Sequence, residues 1–158
     1  MVHEIRRKDR ALAESEAYDI LSRGGDGVMA TLGEDGYPYA VPMNHVLVDR
    51  AMYLHCAQVG HKMENIEFCD KVSYCVVTER EVLPAQLTIH YESAVAFGRA
   101  SVVTDPGEKR RALVALLHRF CPGHLERGME SVNRSSDKLA VLRIDIEWAT
   151  AKAHRPGT

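Results

Sequence analysis

The sequence predicts a mainly β chain, a small antiparallel barrel with helices at its ends. Three observations carry this. Apolar runs rich in β-branched residues recur with turn residues between them. Two segments instead space their apolar residues for a helix, and Gly98 sits inside a long β-rich run as a hinge of the kind that lets a sheet curl. With 158 residues, the chain fits one domain, read as a core of about residues 5–152 followed by a C-terminal tail, 153–158.

Residues 11–23 place Ala13, Ala17, Ile20 and Leu21 at helical spacing, and Gly24-Gly25 ends that helix, which is expected to plug one end of the sheet. Residues 27–32 form a first strand, and Gly33-Glu34-Asp35-Gly36 supplies a hairpin turn. The returning strand, 37–48, contains Pro38 and Pro42, which cannot donate to a ladder and so belong on an edge or at a bulge. Asp49-Arg50 turns the chain into a third strand, 51–57. A short helix over 61–69 precedes a β-branched strand at 72–78, a polar loop at 79–86 and the long run 87–103. Asp105 or Thr104 caps a helix that carries Leu113, Leu116, Leu117 and Phe120 on one face and stops at Cys121-Pro122-Gly123. The stretch 124–136 is less regular, with room for a further short helix. Residues 139–148 alternate as a half-buried last strand, and 149–158 lose the period.

Lys and Arg number 20 against 22 Asp and Glu, so the chain lacks the basic surplus of a nucleic-acid binder. The charged N-terminal segment has no apolar core of a signal peptide, and no run approaches the roughly 18 apolar residues of a membrane span. A cytoplasmic protein with free thiols at Cys56, Cys69, Cys75 and Cys121 is expected.

Residues 53–62 (Tyr-Leu-His-Cys-Ala-Gln-Val-Gly-His-Lys) hand an apolar strand to a glycine, a histidine and a lysine at a helix start. Unpaired amides in a first helical turn, with a lysine beside them, form a cradle for a phosphate or other anion. His55 and Cys56 are adjacent on a strand and point to opposite faces, so they cannot chelate one ion together, and no metal site is expected.

Gly36-Tyr37-Pro38-Tyr39-Ala40-Val41-Pro42-Met43-Asn44-His45, Met52-Tyr53-Leu54-His55-Cys56-Ala57 with Gly60-His61-Lys62, and Asp70-Lys71-Val72-Ser73-Tyr74-Cys75-Val76 resemble the flavin-binding split-barrel proteins related to pyridoxamine 5′-phosphate oxidase, in their nitroimidazole-resistance (Nim-type) branch. The resemblance runs over about residues 5–152. It implies a six-stranded antiparallel split barrel of Greek-key order with flanking helices, forming a homodimer with FMN in clefts at the subunit interface. By this resemblance Gly60, His61 and Lys62 grip the FMN phosphate, Pro42, Met43 and Asn44 run along the flavin ring, and His55, Cys56 and Ala57 lie between ring and phosphate. The oxidase branch has arginine where His61 stands, and its residues for the substrate phosphate have no match here. Ala151 stands where many Nim-type relatives have glycine.

The activity this implies is an FMN-dependent oxidoreductase that passes electrons from NAD(P)H to a small acceptor such as a nitroaromatic, with His55 as its acid–base group. The alternatives are a non-catalytic flavin carrier, or a split barrel holding haem or the deazaflavin F420. Trp148 is a further candidate, for stacking on the flavin. Each candidate also has a structural reading: His55 as a satisfied core histidine, Cys56 as packing, and Trp148 as core or interface packing.

Overall fold

The computed structural model describes residues 3–156. Eight strands form one antiparallel sheet: β1 (Ala11–Leu12), β2 (Asp26–Leu32), β3 (Pro38–Asn44), β4 (Val46–Val48), β5 (Ala51–Cys56), β6 (Lys71–Leu83), β7 (Thr88–Val102) and β8 (Ala140–His154). Four helices flank it: α1 (Glu14–Arg23), α2 (His61–Phe68), α3 (Pro106–Phe120) and α4 (Leu125–Ser135). The strand order is β3-β2-β6-β7-β8-β5-β4, with β1 added beside β8, and the sheet curls as a half-barrel. No helix among the described residues is long and apolar enough to cross a membrane.

The hairpin turn follows its residues closely. Gly36 adopts φ +80°, its N–H donates to the Gly33 carbonyl at 3.0 Å, and the Asp35 carboxylate accepts the Tyr37 N–H at 3.0 Å. Both prolines of the returning strand lie on β3, which is an edge.

That strand does not run unbroken to Val48. It ends at Asn44, and after His45 the chain resumes as β4 on the opposite end of the sheet. His45 is wholly buried. Its N–H donates to the Gly25 carbonyl at 3.1 Å, and its Nε2 donates to the Leu21 carbonyl at 2.8 Å, so α1 holds the chain where it changes partners. This break and the added β1 raise the strand number from the expected six to eight.

Gly98 marks a register shift of β7 against β8, where a Cβ would stand 2.1 Å from the Asp145 carbonyl oxygen. Asp105 caps α3 by accepting the Glu108 N–H at 2.7 Å.

Two other segments differ from expectation. The polar loop expected at 79–86 is mostly ladder, since β6 pairs β7 through Leu83↔Thr88 and only residues 84–87 turn the chain. Glu79, Arg80 and Glu81 are exposed, so backbone pairing rather than burial holds them, and no apolar alternation announces a strand. The last strand continues past Trp148 to His154, which carries it into the segment expected to lose its period; Gly157 and Thr158 lie outside the described residues. Ala149, Ala151 and Ala153 keep the alternation with small side chains. Together with Ala94 and Ala96 of β7, these alanines let α1 seat Ala17, Ile20 and Leu21 against the sheet.

The main core lies between α1, α2 and the inner sheet face, with Met29, Met52, Leu54, Tyr74, Leu142 and Ile144 at its centre. A second core, of Ala51, Tyr53, Val103, Leu113, Val132 and Val141, joins α3 and α4 to the other face of β5 and β8. Glu108 latches α3 to that face by accepting from Tyr53 Oη at 2.7 Å and from Arg143 Nη1 at 2.9 Å.

Candidate functional site

Strand β5 delivers the chain through residues 57–59 to Gly60, whose φ of +121° favours glycine even though a Cβ there would meet nothing within 4 Å. The Gly60 carbonyl accepts from the N–H groups of Met63 (2.8 Å) and Glu64 (3.2 Å). The amides of His61 and Lys62 precede the first i→i−4 bond and have no helical acceptor. The His61 ring rests on Tyr39, centroids 4.1 Å apart, in a depression with Glu34, Asp35 and Glu64. With its ring engaged there, residue 61 offers an anion its backbone amide. Asn65 Nδ2 donates to Thr31 Oγ1 at 2.9 Å inside the protein, and Met63 and Ile66 enter the core, so α2 is fixed against β2.

The alternation along β5 separates His55 from Cys56. Cys56 faces the core with its Sγ 3.7 Å from Met63 Sδ; burial pushes its thiol pKa up, and nearby Lys62 acts the other way. His55 faces the opposite side and lines a cavity of about 330 Å³ under α3 and α4. Leu113, Leu116, Leu117, Phe120 and Val132 supply its apolar wall, and Asn44 at the end of β3 lines it as well. The Asn44 amide donates to Asp26, whereas the His55 ring makes no hydrogen bond or ion pair to another described residue.

The remaining candidates lie elsewhere. Met43 packs against the core and its carbonyl accepts from Tyr74 Oη, while Pro42 is exposed on β3 and Ala57 in the loop after β5. Trp148 stacks on Phe97 in an outer groove of about 430 Å³, beside Lys71, Ser73 and Arg99. A single chain thus brings Asn44 and His55 to one cavity and Gly60, His61 and Lys62 to one helix start, with Trp148 on the outer sheet face. Among the described residues, no three His, Cys, Asp or Glu side chains gather closely enough to hold a metal ion.

The cavity wall from α3 and α4 was not singled out by the sequence. α3 showed its apolar face, but nothing local says which strand that face covers. Ser131 and Ser135, also in the wall, belong to the irregular stretch in which α4 lies.

A family model described as pyridoxamine 5′-phosphate oxidase matches residues 13–153. No curated protein sequence matches the chain. Among solved structures, a candidate 5-nitroimidazole antibiotic resistance protein from Bacteroides thetaiotaomicron superposes with a TM-score of 0.77 at 18% identity, covering 96% of each chain. The flavocytochrome Anf3 from Azotobacter vinelandii gives 0.81 at 18% identity, over 97% of this chain and 73% of its own. An FAD- and haem-binding protein from Mycobacterium smegmatis gives 0.76 at 21% identity, over 90% and 72%. At these identities the likeness is one of fold.

Proposed function

We propose that this chain, which belongs to the pyridoxamine 5′-phosphate oxidase family, is an FMN-dependent oxidoreductase of the nitroimidazole-resistance type, reducing a small acceptor with electrons from NAD(P)H. The observation that carries this is the meeting of Asn44 and His55 at one apolar cavity, on a strand that leads within a few residues to the helix start at Gly60. A cofactor held by its phosphate at that helix start leaves the cavity beside His55 to the acceptor.

FMN would supply a ring that accepts hydride and passes electrons on. The amides of His61 and Lys62 would hold its phosphate at the positive end of α2, and the Lys62 ammonium would add a point charge. Pro42, Met43 and Asn44 would run along its ring, Ala57 would lie between ring and phosphate, and Cys56 would support that strand end from the core. His55, which makes no hydrogen bond or ion pair to another described residue, orients the acceptor and delivers a proton to it.

The same reading includes a homodimer. The outer face of β2, β6, β7 and β8 exposes Val28, Leu32 and Val77 around the Phe97–Trp148 groove, an apolar surface suited to a second copy. Trp148 would then approach the partner's cofactor.

The absorbance spectrum of the purified protein, before and after incubation with FMN, tests the cofactor. A flavin spectrum, bleached anaerobically by NADH or NADPH, is expected. A protein that stays colourless and takes up no FMN overturns the reading, and a bound flavin that neither nucleotide reduces makes it a carrier. A second reading, haem that would be held through His55, draws on the haem- and flavin-binding proteins of like fold and would give a Soret band instead.

A further inference from the structure

The cavity between α3 and α4 combines an apolar wall with four polar side chains, those of Asn44, His55, Ser131 and Ser135. It holds about 330 Å³, near the small end of the roughly 300–1,000 Å³ range of ligand pockets. Its chemistry is specific. No Asp, Glu, Lys or Arg lines it, although more than a quarter of the chain is charged. Leucines and Phe120 of α3 form one wall, while Ser131 and Ser135, one turn apart on α4, add hydroxyls to the other. His55 and Asn44 mark the end nearest β3 and β5.

Gly128 of α4 also lines it. This residue lies in α4 where a Cβ would come within 2.7 Å of Leu117 Cδ2, so the two helices are spaced for a residue without a side chain. Any side chain here would push Leu117 aside, and Leu117 itself lines the cavity.

We propose that this α3–α4 cavity is the acceptor site: it binds a neutral, planar molecule of one or two fused rings, whose polar edge meets His55 and Asn44, and Gly128 sets the ring size admitted. The proposal rests on the flavoprotein reading, since it makes the occupant the partner of the cofactor rather than the cofactor itself. Absence of Lys and Arg from the wall disfavours anionic acceptors, because a carboxylate or sulfonate would exchange water for apolar side chains without a permanent positive charge to pair with. The apolar wall accepts the faces of an aromatic ring, and the hydroxyls and His55 satisfy its edge.

The test uses the full chain with ¹³C-labelled Leu and Val methyls, in FMN-loaded and FMN-free form, titrated with 2-naphthol. Saturable shifts at Leu113, Leu117 and Val132 in both forms are expected. Naphthalene-2-sulfonate, with the same rings and a fixed charge, should bind at least about tenfold more weakly. Gly128→Ala should weaken 2-naphthol binding by about tenfold while leaving FMN affinity unchanged within about twofold, since one methyl in an apolar pocket discriminates by that order. The proposal is overturned if FMN alone shifts these methyls and expels 2-naphthol, if 2-naphthol binds without moving them, or if the sulfonate binds equally well. Should Gly128→Ala fail to fold, the wild-type methyl shifts and the sulfonate comparison still decide. Failure of the flavoprotein reading looks different: no FMN is taken up, whatever 2-naphthol does.

Discussion

Trp148 of β8 and Phe97 of β7 are cross-strand partners whose rings stack, with centroids 5.1 Å apart and 15° between their planes. The pair stands in a groove on the outer sheet face, and Trp148 is the only tryptophan in the chain. Its fluorescence therefore reports on that face alone.

If the face pairs with a second copy, Trp148 emission will shift to the blue as protein concentration rises, in step with the mass seen by sedimentation, and added FMN will quench it. Emission independent of concentration in a protein that sediments as a dimer would place the interface elsewhere.

Lys62→Ala should weaken FMN binding by about tenfold or more, the scale of one charge-assisted hydrogen bond. Riboflavin, which has the same ring and no phosphate, should bind both proteins alike. Equal losses for the two flavins would remove Lys62 from the phosphate.

His55→Gln should lower turnover by about 10²-fold with FMN affinity nearly unchanged, as for loss of a proton donor. Flavin titration and steady-state rates separate the two effects. A variant that turns over normally would leave His55 a wall residue only.

His45 gives a pH dependence with a definite sign. Burial lowers its pKa below the ordinary 6.5, outweighing the hydrogen bond to the Leu21 carbonyl, with Arg119 reinforcing the fall and Asp26 opposing it. The unfolded chain takes up this proton first, so the stability due to neutral His45 is fully present above about pH 6.5 and declines as pH falls below it. His45→Gln retains a donor for Leu21 but does not titrate there. Urea midpoints measured from about pH 8 to 5 should fall more for wild type than for this variant, and parallel curves would contradict the assignment.

Gly98→Ala should cost about 3 kcal/mol, because the contact at 2.1 Å is with backbone that cannot swing away. A thermal midpoint within a degree or two of wild type would show that β8 can yield there.

Local features account for what the sequence revealed. Gly33-Glu34-Asp35-Gly36, Asp105-Pro106 and Gly98 each act on the backbone within a few residues or at one ladder position, and each stands where its chemistry predicts. The opposite faces of His55 and Cys56 followed from strand alternation alone. By contrast, the alanines after Trp148 are strand-forming only because α1 packs on them, and Glu79 to Leu83 only because β7 supplies a ladder. The roof over His55 was hidden for the same reason. Leu113 and Val132 meet it through a fold in which α3 and α4 return across β5, an arrangement no nearby residue encodes.

The passage through His45 also bears on how the barrel breathes. β3 and β4 belong to opposite ends of the sheet, yet one residue links them, so the seam between them is tethered almost without loop-closure entropy. Opening that seam requires extracting a buried imidazole from α1 rather than merely parting two edges. Local unfolding there would release Asn44 from the cavity and the end of α1 together, and amide exchange at Asn44, His45 and Gly24 should follow one opening free energy.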